Sequence, residues 1–157
     1  MDKEWNRSLR SAIADVFATM FFVVPEWDPE LGLKLASQKA GGWYEGWVDF
    51  ERAPQVIRVW VWAPPELASE LAANIMASDP GDMDSEQILD AFREMLNMVA
   101  GSLLTTMDPA GNWKMGLPQG RILPSTPVKD LLKQVQEELA FEAEGRPFLA
   151  GLRMTEK

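Results

Sequence analysis

The sequence contains no cysteine and no histidine. The first absence excludes thiol nucleophiles, disulfides and thiolate metal sites, and it fits a reducing compartment. The second removes the usual general base near neutral pH and the commonest metal ligand. Tyr44 is the single tyrosine. Any chemistry therefore falls to carboxylates, amides, hydroxyls, Lys, Arg, this one phenol or the backbone. Basic residues are scarce as well: 15 Lys and Arg stand against 24 Asp and Glu, for a formal net charge of −9. A binder of nucleic-acid phosphates needs the reverse, with cations clustered. No apolar stretch approaches the ~20 residues that span a bilayer. The opening MDKEWNRSLR carries mixed charge and lacks the apolar core of a secretion signal. No phosphate-binding loop or dinucleotide fingerprint is present. These exclusions point to a soluble, cytoplasmic protein.

What is present suits one folded domain over residues 1–157, with 46% hydrophobic and 25% charged residues. In the stretch 3–22, Trp5, Leu9, Ile13, Val16, Phe17 and Met20 recur at helical steps. Pro25 and Pro29 forbid a long helix next and leave a loop or an irregular strand. GGWYEGWVDFE (41–51) and QVIRVWVWAPP (55–65) read as two strands, and the short link between them predicts an antiparallel hairpin. Alternation puts Tyr44, Val48, Phe50, Ile57, Val59 and Val61 on one face. Trp43, Glu45, Trp47, Asp49, Arg58, Trp60 and Trp62 take the other.

A helix with proline at its start follows over 64–79. Asp84, with Gln87 three residues on, predicts a capping box that opens a helix running to about Thr106. DPAGNW is a turn, and 113–123 reads as a short strand interrupted by Pro118. One or two helical turns within 125–136 and a hairpin turning near Gly145 complete the order. The fold class is α+β, an antiparallel sheet packed by long helices. Two long helices each lead towards strands, which points to an internal pseudo-duplication, although no repeat is visible residue by residue.

The second long helix carries a line of polar residues. At about 100° per residue, Glu94, Asn97 and Gly101 fall within roughly 40° of Asp90. Leu89, Phe92, Leu96, Val99 and Leu103 form an apolar stripe nearly opposite, and Met95 and Met98 are expected to flank the line on one side. A helix on a sheet shows a polar face to water in any case. Two details exceed that minimum. Asn97 is a poor helix former in mid-helix. Gly101 costs up to ~1 kcal/mol relative to alanine, which a close approach by another backbone or by a partner would explain.

The spacing Asp90, three residues, Glu94, two residues, Asn97, then Pro118 downstream resembles the signature of the CheC/CheX/FliY chemotaxis phosphatases, in their CheX-like branch. The following MVAGS resembles the family's MIAGN, and AIADVFATMFF and PPELASELAANIMASD resemble its other helices. The resemblance implies a phosphatase acting on the aspartyl phosphate of a CheY-type response regulator. It implies no cofactor or metal on this chain, with Mg²⁺ held by the regulator, and a homodimer. It further implies that Asn97 orients the attacking water and that Glu94 pairs with the regulator's active-site lysine. Asp90, Met95, Met98, Gly101 and Pro118 would then belong to the docking surface. Such chemistry suits a chain without His or Cys, because little remains beyond placing a water in line with the scissile P–O bond. A carboxamide both donates and accepts hydrogen bonds and can do that.

Two departures matter. Ser102 stands where many relatives carry a second Asn. On the first helix the matching positions read Ser11, Asp15 and Ala18, with neither Glu nor Asn, so a single active site is expected.

The Trp-rich sheet face would be covered by another element of the chain or would serve self-association. Glu26, Asp28 and Glu30 read as a solvated loop before a cation site. A non-catalytic binding module and a scaffold dimer are the competing functions. The discriminator is whether Glu94 and Asn97 reach solvent without an intramolecular partner.

Overall fold

The computed structural model describes residues 3–38 and 41–156; Met1, Asp2, Lys39, Ala40 and Lys157 lie outside the described residues. Along the chain run α1 (Lys3–Met20), β1 (Glu26–Trp27), α2 (Leu31–Ala36), β2 (Gly41–Arg52), β3 (Gln55–Ala63) and α3 (Pro65–Met76). After a 3-10 turn at Pro80–Asp82 come α4 (Ser85–Met107), β4 (Lys114–Met115), β5 (Gln119–Thr126), α5 (Val128–Leu132), β6 (Glu137–Ala143) and β7 (Arg146–Glu156). The strands form one antiparallel sheet in the order β1-β6-β7-β3-β2-β4. β5 shares the outer edge of β2 with β4, pairing Gly41–Trp47 while β4 pairs Phe50 and Glu51. The strand expected over 113–123 is thus two strands. Pro118 falls in the gap, where the chain needs no ladder N–H from it, and the Gly116 N–H donates to the Asp49 carbonyl at 2.8 Å.

The two faces of the β2–β3 hairpin divide as the alternation predicts. Tyr44, Val48, Phe50, Ile57, Val59 and Val61 are buried in the main core with Leu9, Ile13 and Phe17 of α1 and Phe92, Leu96 and Val99 of α4. Each such side chain, fully buried, contributes about 1.5–3 kcal/mol. On the opposite face, Leu35 of α2 and Val128 and Leu131 of α5 pack over Trp43, Trp60 and Trp62. Those three rings are buried. Of the two readings of this face, covering by another element of the chain is the one observed for these three rings: two short helices from the proline-bounded segments lie over them. Trp47, half-buried, lies under the guanidinium groups of Arg58 and Arg121.

Glu45 is the one buried charged residue among the described residues. Its Oε2 accepts the Trp62 indole N–H and its Oε1 accepts the Arg121 Nε–H, each at 2.7 Å. Beside it, Arg58 donates to both oxygens of Asp49, at 2.7 and 2.9 Å. That pairing, first of all its hydrogen bond, holds the Arg58 guanidinium above its ordinary range.

The capping box forms as expected: Asp84 Oδ1 accepts the Gln87 N–H at 2.9 Å, and Gln87 Oε1 accepts the Asp84 N–H at 3.0 Å. At the other end of α4 the Asp108 N–H donates to the Leu104 carbonyl. The Asp108 carboxylate then accepts the N–H groups of Asn112 and Trp113, which closes the DPAGNW turn. Among the described residues no helix is long and apolar enough to cross a membrane.

The suspected duplication is visible in the order of elements. A long helix, an edge segment, a short helix and a hairpin occur twice: α1, β1, α2, β2–β3, then α4, β4–β5, α5, β6–β7. Each half lends its edge strand to the other half's hairpin, since β1 pairs β6 and β5 pairs β2. α1 and α4 lie side by side, with Ser8 of one donating to the Met107 sulfur of the other at 3.1 Å.

Tyr44 lies beneath α4, its ring stacked on Phe92 with centroids 6.4 Å apart, and burial pushes its phenol up from the usual value of 10.0. The native state therefore keeps the phenol neutral to higher pH than the unfolded chain does. That stability is fully present below about pH 10 and is lost as pH rises through the raised native value. As the single tyrosine, it reports alone in a phenolate absorbance titration. The expected midpoint lies above that of a denatured control, and coincident midpoints would contradict the packing.

Candidate functional site

The position of α4 is set from beneath. A Cβ added at Gly46 of β2 would meet Leu96 Cδ2 at 3.0 Å and Phe92 Cδ2 at 3.3 Å. The missing side chain lets the helix settle onto the sheet at that point. Ile88, Leu89, Phe92, Leu96, Val99 and Leu103 then hold it along its length. Met95 belongs with them, fully buried. Its expected place on the docking surface is corrected by the helical arithmetic itself: five steps of about 100° carry it roughly 140° from Asp90, into the core stripe.

Asp90, Glu94, Asn97 and Gly101 are all exposed along one line. The Asp90 carboxylate takes a hydrogen bond from Arg93 Nη1 at 2.8 Å, an exposed pair of neighbours on the same helix. Glu94 and Asn97 make no side-chain hydrogen bond or ion pair among the described residues. Lying at i and i+3, they project from adjacent turns and can reach one small target together. Asn97 is tied into no packing network, so neither the core nor the helix accounts for it.

Gly101 has open space around it: a Cβ there would meet nothing within 4 Å. Among the described residues no other segment packs on that position, so an approach by another backbone of the chain does not account for the glycine there. Half-buried Met98 stands beside the line on the side of α1. Met98, Gly101 and Ser102 face Asp15, Val16 and Met20 across a shallow groove of about 410 Å³. Pro118 stands in the link between β4 and β5. Two residues on, Gly120 packs against Leu89 and Arg93, the flank of α4 turned away from α1. The structure thus brings together Asp90, Glu94, Asn97 and Gly101, with Met98 alongside, and separates Met95 from them.

The α1 residues of the groove escape a reading of the sequence. The available signal is that Ser11, Asp15 and Ala18 repeat the spacing of Asp90, Glu94 and Asn97, and all three are exposed. On the acidic loop, Asp28 Oδ1 accepts the Glu30 N–H at 2.9 Å, a local turn ahead of α2. Among the described residues no group of three or more acids could hold a metal ion.

Comparison with known proteins gives the geometry its context. The family described as "Chemotaxis phosphatase CheX" matches residues 46–130, more than half of the chain. No curated protein sequence matches it. Among solved structures, the chemotaxis protein CheX of Vibrio vulnificus superposes with a TM-score of 0.72 at 15% identity, covering 97% of each chain. A CheC-like superfamily protein of Shewanella gives 0.68 at 13% identity over 99% of each. The CheX of a CheX-CheY-BeF₃-Mg²⁺ complex from Borrelia burgdorferi gives 0.65 at 14%, covering 97% of this chain and 98% of that one. At such identities the likeness is one of fold; the sequence match spans β2 to α5, α4 with its polar line included, and by it the chain belongs to the CheX family of chemotaxis phosphatases.

Proposed function

We propose that this protein accelerates hydrolysis of the aspartyl phosphate on a CheY-type response regulator. The observation that carries the reading is the pair Glu94 and Asn97, exposed and, among the described residues, unpartnered on adjacent turns of a helix whose other face is locked into the core. Family membership supports it. So does the Borrelia relative of like fold, whose CheX is in complex with CheY, BeF₃ and Mg²⁺.

In this reading α4 lies across the mouth of the regulator's phosphorylation site. Glu94 pairs with the lysine ammonium there and seats the helix. Asn97 enters beside the phosphoryl group. Its Oδ1 accepts one hydrogen of a water, which turns the water's lone pair towards phosphorus, and its Nδ2–H groups donate to a phosphoryl oxygen. The water oxygen bonds to phosphorus and the bond from phosphorus to the aspartate oxygen breaks. The aspartate leaves as a carboxylate and both protons of the water remain on the inorganic phosphate, released as dihydrogen phosphate. Mg²⁺ on the regulator neutralises phosphoryl charge. The acyl phosphate is labile already, so orientation is what this chain has to supply. A homodimer is part of the reading, formed through a surface other than the covered tryptophan face.

The test is the loss of phosphate from a phosphorylated CheY-type regulator of the same organism, with and without the protein. Acceleration is expected. Glu94→Ala should raise KM about tenfold or more through the lost charge pair. A stable complex without acceleration would establish the non-catalytic binding module instead. Neither complex nor acceleration with any regulator of the organism would end the proposal.

A further inference from the structure

We propose that the groove between α1 and α4 is the specificity pocket of the docking surface, built to receive an apolar side chain that the regulator presents beside its phosphorylation site. The inference rests on the reading above and extends it to residues of α1.

Continuity is the first argument. Gly101 lies four residues beyond Asn97 on the same line, a rise of about 6 Å along the helix. A partner that brings a phosphoryl group to Asn97 must lie over Gly101 as well. Gly101 forms one wall of the groove with Met98, and Val16 and Met20 of α1 form the other. The second argument is what Gly101 lacks. It weakens the helix by up to ~1 kcal/mol relative to alanine, and among the described residues nothing within 4 Å of its absent Cβ requires glycine. Its effect is to keep the groove open.

The walls are the third argument. Met20 keeps 46% of its surface exposed at the end of an otherwise well-packed helix. Met20 and Met98 are both unbranched thioethers, which adapt their shape to whatever lies against them. Apolar surface continues along the chain past Met20 to Phe22, 84% exposed and held at a φ of 55°. Charge fixes the partner's character. Asp15 stands at the rim, Glu94 and Asp90 stand along the adjoining line, and the nearby Arg93 is already engaged by Asp90. An apolar groove edged by acids fits an apolar side chain flanked by cations. A regulator site with a lysine and a bound Mg²⁺ offers such cations.

Gly101→Leu fills the groove with a better helix former and is expected to melt no lower than wild type. The measurements are titration against the beryllofluoride form of the regulator, steady-state dephosphorylation, and sedimentation of the protein alone. Gly101→Leu should raise Kd and KM together by about tenfold or more, with the loss in kcat/KM carried by KM. Met20→Gln should move both constants in the same direction by less. Asn97→Ala, run beside them, should show the opposite split, a fall in kcat at near-constant Kd. Wild-type Kd and KM in Gly101→Leu, with Asn97→Ala still inactive, would overturn the pocket and leave the phosphatase standing. Loss of self-association in Gly101→Leu at unchanged regulator affinity would also overturn it, making a second copy of this chain the occupant. If wild type neither binds nor dephosphorylates the regulator, the underlying reading fails and the pocket goes with it.

Discussion

Asn97→Ala should remove about 100-fold or more of the acceleration while the regulator still binds. The expectation follows from how little else is available. Without histidine or cysteine, the chain has no better-placed group to take over the water, and Glu94 is committed to the partner's lysine in this reading. Stability should move the other way. Asn97 is exposed in mid-helix with no partner among the described residues, and alanine there favours the helix by up to about 0.7 kcal/mol. A variant that melts higher, binds as well and turns over far more slowly marks a residue kept for chemistry. Asn97→Gln retains the amide but displaces it by one methylene. A misplacement on the order of 1 Å can cost a hundredfold, so Gln should rescue little. Dephosphorylation kinetics paired with a thermal melt checks all of this; unchanged kcat in Asn97→Ala would remove the assigned role.

The largest effect on stability is expected on the opposite side of the sheet. Arg121→Ala should lower the unfolding free energy by about 3 kcal/mol. The reason is asymmetry of exposure. Arg121 is 59% exposed, whereas Glu45 beneath it is 1% exposed. Removing the arginine takes away the charged partner of a carboxylate set into the sheet face, leaving it the Trp62 indole N–H and the more distant charge of Arg58. It also uncovers the ring of Trp47, 5.5 Å from the guanidinium. Glu45→Leu removes the buried charge itself. It leaves an exposed guanidinium that water satisfies and one orphaned indole N–H, costing about 1–3 kcal/mol. Denaturant unfolding of the two variants should rank Arg121→Ala as the more damaging. The reverse order would mean that Trp62 depends on Glu45 more than Glu45 depends on Arg121.

Much of this architecture is legible from local chemistry. The hairpin faces follow from strict alternation in residues 43–62, and the start of α4 follows from Asp84 and Gln87, because both are short-range rules with strong side-chain signals. What covers the tryptophans is not legible. α2 and α5 span six and five residues, too few for a helical period to emerge, and their docking on the far face is a tertiary fact. Met95 is a different kind of miss. Its angle on the helix already assigns it to the core, and only its sequence neighbours, Glu94 and Asn97, draw it towards the surface. The polar line itself is readable from spacing. Its freedom from intramolecular partners is not, since that depends on what the rest of the chain fails to bring near it. Nor is the groove, whose two walls lie far apart along the chain and meet only because the two halves pack their long helices together.

Those two halves also set a valency. The Glu and Asn pair stands on α4, while the corresponding positions of α1 hold Asp15 and Ala18. In the proposed reading one chain carries one copy of the constellation and would engage one regulator, with an occupancy expected to follow a simple hyperbola in regulator concentration. Avidity, in which a first engagement raises the effective concentration for a second, is open only to an assembly of two chains, or to a chain rewritten with Asp15→Glu and Ala18→Asn on the helix that lacks the pair.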